Sequence, residues 1–238
     1  MKEIWIIAKR ELQSFFDSLV AYVIMVLFLG FSGLFIWILP NNIFLMGQAT
    51  LSVFFSVAYW SLFFFIPAIT MRLIAEEKRS GTIELLLTKA ISYRQVVSGK
   101  FLAALILISI TLIFTLPYVI SVSTIGNLDF GATLTGYLGL FLMSAAYISI
   151  GLFASSITNN QIVSFMIALF ISLFFHIIFG VISKGLSGSL GQFFDSLSLQ
   201  VHYESISRGV IDSRDLIYFL SIAFAGLFFT EVTLAKRN

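Results

Sequence analysis

Few side chains in this sequence have the type and spacing that chemistry requires. There is no cysteine, so thiolate metal sites, cysteine nucleophiles and disulfides are all excluded. The two histidines, His176 and His202, stand alone, with neither a carboxylate nor a second histidine close in sequence. A lone histidine in an apolar run is more often a hydrogen-bonded packing residue than a ligand, so neither catalysis nor metal binding is expected. No G-x-x-x-x-G-K-[ST], H-E-x-x-H, G-x-S-x-G or Asp-rich calcium loop occurs, so no P-loop nucleotide site is expected in this chain. The patterned polar chemistry is concentrated in residues 72–100, RLIAEEKRSGTIELLLTKAISYRQVVSGK. Its spacing is suited to docking rather than to bond making.

That stretch carries Arg72, Lys78, Arg79, Lys89, Arg94 and Lys100 between two long apolar runs. Basic clusters beside membrane spans are held on the cytoplasmic side. A first helix is expected to leave the membrane through Glu76, Glu77, Lys78 and Arg79 and to stop at Gly81. Thr82 can cap a short helix from Ile83 to about Lys89, with Glu84 near its positive end and Lys89 near its negative end. Ser92-Tyr93-Arg94-Gln95 has capping-box spacing and predicts a third helix returning to the membrane. The tip of this hairpin is Leu85, Leu86 and Leu87. Three consecutive leucines do not share one buried face, so at least one looks outward. They either dock in the groove of a partner or rest on lipid headgroups and the flanking helices.

The run E-K-x-x-G-T-x-E-x-L-L at 77–87, continued by Thr88-Lys89 and Ile91-Ser92, resembles the first cytoplasmic loop of ABC-2-type transporter permeases. Within these it resembles the gliding-motility-associated permease family, whose members also carry a stretch like Ser207-Arg208-Gly209-Val210-Ile211-Asp212 before the last span. The resemblance covers nearly the whole chain, from Lys9-Arg10-Glu11 to the final helix. One departure is Ala90, where the family usually has proline, and it leaves the exit from the short helix less constrained. The resemblance implies an exporter of the bacterial inner membrane, linked to gliding motility or envelope biogenesis. It implies a separate cytoplasmic ABC ATPase that holds the ATP, with no cofactor in this chain, and a second permease copy or paralogue. The residues it assigns to ATPase contact and coupling are Glu77, Gly81, Thr82, Ile83, Glu84, Leu85, Leu86 and Leu87.

Composition agrees on the class. Of 238 residues 59% are hydrophobic and only 11% charged, and mean hydropathy is +1.02. Soluble chains carry about 25% charged residues. The net charge of +2 gives no reason to expect nucleic acid as a partner; the lipid bilayer is the expected medium. The fold class is therefore an all-α integral membrane protein of one domain spanning 1–238. Six spans are expected at about 18–39, 51–71, 101–122, 134–155, 162–183 and 216–234, each with the ~20 residues needed to cross the hydrocarbon. Ahead of them, residues 1–17 place Ile4, Ile7, Ala8, Leu12 and Phe15 at helical spacing, an amphipathic helix expected to lie on the membrane surface.

Orientation follows from the basic residues. With the amino terminus inside, Lys2, Lys9, Arg10, the six cations of the loop, Lys236 and Arg237 are cytoplasmic, eleven of the 14. Lys184, Arg208 and Arg214 fall outside, so both termini are expected in the cytoplasm. The outer segment 184–215 mixes Phe193, Phe194, Leu197, Leu199 and Val201 with acids. It is too apolar for a free loop, and an ordered, re-entrant or surface-lying helix is expected. Arg208 and Asp212, four apart, can pair on one face of it. Pro67 and Pro117 are expected to kink spans two and three.

Spans three to five contain no ionisable side chain other than His176 and tyrosines. Ion-coupled carriers usually need buried acids or lysines at that depth, which argues against a secondary carrier or channel. A non-transporting anchor for a motility or envelope machine would present the same docking tip as a permease, and composition does not separate the two.

Overall fold

The computed structural model describes residues 2–39, 43–82 and 92–236. All regular structure among them is helical. The amphipathic helix α1 (Lys2–Asp17) is followed by α2 (Val20–Trp37), the short α3 (Ile43–Met46), α4 (Ser52–Thr70) and α5 (Ala75–Ser80). Beyond the basic loop come α6 (Tyr93–Ile113), α7 (Leu116–Ile125) and α8 (Phe130–Ile157). Then α9 (Gln161–Leu173) runs through a π turn (Phe174–Ile178) into α10 (Phe179–Gly185), and α11 (Ser189–Asp195), α12 (Leu199–Ser207) and α13 (Ser213–Ala235) complete the chain. Six helical stretches are long and apolar enough to cross a membrane: Val20–Trp37, Ser52–Ser80, Tyr93–Ile125, Phe130–Ile157, Gln161–Gly185 and Ser213–Ala235. Each contains or closely matches one of the six expected spans.

The bundle is built around α8. Of its most apolar window 83% is buried, more than in any other candidate span. Its composition explains this. In lipid, helices gain little from burying apolar surface against one another, so close packing through small residues decides which helix is central. Along α8, Gly136 faces the Phe55 ring, Gly139 faces Tyr203, and Gly151 faces Thr70 of α4. Gly226 of α13 returns the arrangement by resting on Ser149. A methyl group at Gly136 would come within 2.5 Å of the Phe55 ring, and one at Gly226 within 2.6 Å of Ser149 Oγ. The small residues are therefore what lets α4, α12 and α13 approach this helix.

The two prolines act differently. Helix α4 continues through Pro67 to Thr70 and only then turns over residues 71–74 into α5. Around Pro117 the expected kink is a break: α6 ends at Ile113 and α7 starts afresh with the proline in its first turn, where a missing N–H costs nothing. Thr115 fastens the break, donating to the Leu112 carbonyl at 2.6 Å and bonding the Tyr137 hydroxyl at 2.7 Å.

The segment after span five is ordered, as expected from its apolar content. Helix α11 packs on α10, and α12 lies on α8 with Leu199, Tyr203 and Ile206 buried. The expected Arg208–Asp212 pair is not formed. The chain leaves the helix at Arg208 and turns at Gly209 (φ 96°), while Asp212 caps α13 by accepting from the Arg214 N–H at 2.9 Å. A favourable cap competes with a surface pair worth a few tenths of a kcal/mol and prevails here. Helix α1 also departs from expectation. Its stripe of Ile7, Ala8 and Phe15 is buried against protein, chiefly α6, rather than laid only on a bilayer surface.

Candidate coupling site at the root of the basic loop

Helices α1, α5 and α6 converge where the basic loop leaves the bundle. The buried stripe of α6 runs Val96, Val97, Lys100, Ala103, Ala104 and Leu107, so Lys100 occupies a core position. None of its side chain is exposed. Glu11 likewise falls on the stripe of α1, between Ile7, Ala8 and Phe15. A buried charge without a partner is strongly unfavourable, and these two meet: Lys100 Nζ lies 3.1 Å from Glu11 and 2.8 Å from Glu77 of α5. Arg10 closes the ring from outside, 2.6 Å from Glu11 and 3.1 Å from Glu77. Two cations and two anions thus alternate across three helices.

The cluster sets its own charge state. Burial opposes ionisation of Glu11, but Lys100 and Arg10 outweigh it and hold the carboxyl below the ordinary glutamate value. Glu77 Oε2 is buried with no hydrogen-bond partner. The cluster forms one side of a polar cavity of about 520 Å³ that Ser14, Ser18, Arg72, Ser80 and Thr82 complete. Arg72 spans it, with its guanidinium 5.1 Å from the Phe15 ring and 2.9 Å from Ser18 Oγ.

Helix α5 is too short to be stable alone and is held at its start by α8. It has no capping side chain of its own. Instead Ser155 Oγ accepts from the Ile74 and Ala75 N–H groups at 3.1 and 2.9 Å and donates to the Met71 carbonyl at 3.0 Å. Lys78 donates to the carbonyl of Ser156. One serine on the central helix therefore serves as the N-cap of a helix on another segment.

Of the residues expected to couple to a partner, Glu77 points into the protein, on Lys100 and Arg10. Gly81 ends α5 in the left-handed conformation, φ 69°, as its place after Ser80 predicts. Thr82 bonds backward, to Ser80 Oγ at 2.9 Å and the Glu77 carbonyl at 3.4 Å. Ile83, Glu84, Leu85, Leu86 and Leu87 lie outside the described residues, as does the rest of the expected short helix. Beyond it the Ser92 capping box is present: the Gln95 side chain accepts from Ser92 N–H at 2.9 Å, and Ser92 Oγ accepts from Gln95 N–H at 3.3 Å. The roles of Lys100 and Glu11 were not anticipated. The signal was present, since each is a charged residue standing on an otherwise apolar helical stripe.

The middle of the bundle holds His176 on the π turn. Its ring stacks between Tyr59 and Phe63 at 4.1 and 4.6 Å, and Nδ1 bonds the Tyr147 hydroxyl at 2.5 Å. It is a packed, hydrogen-bonded residue. Trp60 meets it edge-on and also forms a wall of an apolar furrow of about 780 Å³ between α2 and α4, with Phe31, Phe35 and Phe64. Among the described residues, the side chains of both regions hold helices against one another.

The family model described as "ABC-2 family transporter protein" matches residues 5–230. No curated protein matches the chain.

Proposed function

The chain belongs to the ABC-2 family of transporter proteins, and we propose that it is the membrane subunit of an ATP-driven exporter, energised by a separate cytoplasmic ABC ATPase and paired with a second copy or a paralogue. In this reading the basic end of the bundle faces the cytoplasm and residues 83–89, expected from sequence as a short helix, dock in the ATPase. The observation that carries the reading is the Lys100 cluster. It ties both ends of the loop, Glu77 before and Lys100 after, to each other and to Glu11 of α1. A push on the loop then moves α5, α6 and α1 as one piece instead of bending the loop. Glu77 contributes to coupling by holding α5, and the leucines contribute the contact. Gliding motility or envelope biogenesis is the process that the subfamily resemblance suggests.

The second reading, a membrane anchor that recruits a cytoplasmic machine without transport, is favoured by the same apolar tip. Purification of the tagged chain from its native membrane, followed by ATP hydrolysis measured in lipid, tests both. The permease reading expects a co-purifying ABC ATPase whose hydrolysis changes with added amphiphile or polymer cargo. A chain that carries solute with no ATPase would overturn it in favour of a carrier. Cysteines placed singly at Ser80 and Asn127 test the orientation; labelling of position 80 but not 127 by an impermeant thiol reagent in intact cells would reverse it.

A further inference from the structure

At the end of the bundle opposite the basic loop, the turn between α11 and α12 is fastened to α13 by a histidine whose two ring nitrogens both face acceptors. His202 Nδ1 lies 2.6 Å from Asp215 Oδ1, and Nε2 lies 3.0 Å from the carbonyl oxygen of Ser196. A carbonyl oxygen has no proton to give, and neither has a carboxylate. A neutral imidazole carries one N–H and satisfies one such partner. Both bonds together need one proton more than a neutral ring and a carboxylate contain.

The surroundings suit that extra proton. Asp215 is 5% exposed and its second oxygen, Oδ2, has no hydrogen-bond partner, so His202 is what balances its charge. The His202 ring lies flat on Tyr218 at 3.9 Å, and the Tyr218 hydroxyl donates to the Leu197 carbonyl at 2.7 Å. Two adjacent carbonyls, of Ser196 and Leu197, are thus held by side chains that stack on one another. Several other titratable groups of the region have partners of their own. Glu204 bonds the Gln200 amide, Asp195 accepts from Ser183 Oγ, and on α8 and the π turn Tyr137 bonds Thr115 while Tyr147 bonds His176. Among the described residues no other ion pair reaches His202 or Asp215.

We propose that His202, Asp215 and the Ser196 carbonyl form a proton-dependent clasp that ties the outer segment to the last span. With the proton present both bonds hold and α11 is closed down on the bundle. When the pH on that side rises, the ring keeps its N–H toward Asp215 and turns a lone pair toward the Ser196 carbonyl. That contact becomes repulsive and the turn is released. Helix α11 carries the exposed Leu190 and Phe193, so its release rearranges the apolar surface at that end of the bundle. Histidine is the side chain whose ordinary titration falls in the range that such a face meets.

The test uses the full chain in lipid nanodiscs with ¹⁵N-labelled histidine. The two histidines are assigned by comparison with His202→Gln. Ring nitrogen shifts read the protonation of His202 directly, and amide hydrogen exchange over 189–198, corrected for its intrinsic pH dependence, reads the clasp. The ring is expected to be doubly protonated at the pH where 189–198 is protected and neutral where that protection is lost. Protection over 189–198 should fall about ten-fold or more across that change, the size expected for losing a bond to a charged donor, while 136–150 stays protected. His202→Gln should exchange fast at every pH. Asp215→Asn should leave the ring neutral and the segment fast at the pH where the parent is protected. A ring that is neutral throughout, protection that does not follow the ring, or pH dependence that survives in His202→Gln would each overturn the proposal. If Asp215→Asn fails to fold, the ring shifts and the amide exchange of the parent chain still decide it. Neither measurement depends on an ATPase, so failure here leaves the permease reading standing.

Discussion

Lys100 Nζ sits 2.8 Å from Glu77 with none of the lysine side chain exposed, so the residue that ends the basic loop is paired inside the protein with the helix that begins it. Removing the cation leaves two carboxylates facing one another with Arg10 as their remaining partner. Lys100→Met is expected to cost about 3–5 kcal/mol, the range for breaking a buried ion pair. Thermal unfolding in lipid measures the loss. A second variant, Glu11→Leu with Lys100→Met, should recover part of it, because a matched apolar pair needs no charge balance. A Lys100→Met chain as stable as the parent would show that the cluster holds nothing.

The same cluster has a pH dependence with a definite sign. The Glu11 carboxyl is held below its ordinary value of 4.5, mainly by Lys100 and Arg10 acting against burial. A depressed folded-state value stabilises the fold where the carboxylate is ionised. The contribution is therefore complete at neutral pH and is lost as pH falls below 4.5 and through the depressed value. Unfolding temperatures of the parent and Glu11→Gln, measured from neutral to acid, should converge as pH drops. A gap between them that is constant over the whole range would contradict the assignment.

Packing of the central helix gives a third expectation. Gly151 of α8 lies against Thr70 with no room for a Cβ. Gly151→Val is expected to destabilise the chain by about 1–3 kcal/mol through overpacking. Thr70→Ala in the same chain removes the side chain it meets and should restore part of the loss. Unfolding of both variants and the double variant in one lipid distinguishes this local clash from a general effect on helix formation.

Docking and rooting of the loop should separate. Leu86→Asp places a charge at the expected ATPase contact, where an unpaired charge costs several kcal/mol if the interface is dry, roughly enough to abolish binding. It is expected to abolish co-purification of the ATPase while leaving the unfolding temperature unchanged. Lys100→Met should lower the unfolding temperature and leave binding of the docking tip measurable. An ATPase that binds Leu86→Asp like the parent would move the docking element elsewhere, with α1 as the next candidate.

Membrane class, six spans, the amphipathic first helix, the stop at Gly81 and the Ser92 capping box were all legible in the chain, because each depends on residues near one another in sequence. Hydropathy over about 20 residues, a glycine after the last helical turn and a serine three before a glutamine act locally, whatever the rest of the fold does. The pairings that shape the two ends of the bundle depend on residues far apart. Lys100 with Glu11 and Glu77, Ser155 capping α5, and His202 with Asp215 arise only when α8 gathers the other helices around its small residues. The sequence shows that Glu11 and Lys100 stand on apolar stripes and so need partners; it does not say which. For that reason Arg208 and Asp212, four apart and opposite in charge, read as a pair, although the turn at Gly209 separates them and hands Asp212 to the next helix. Local chemistry determined what each segment is, and which segments touch was decided by how closely α8 lets its neighbours approach.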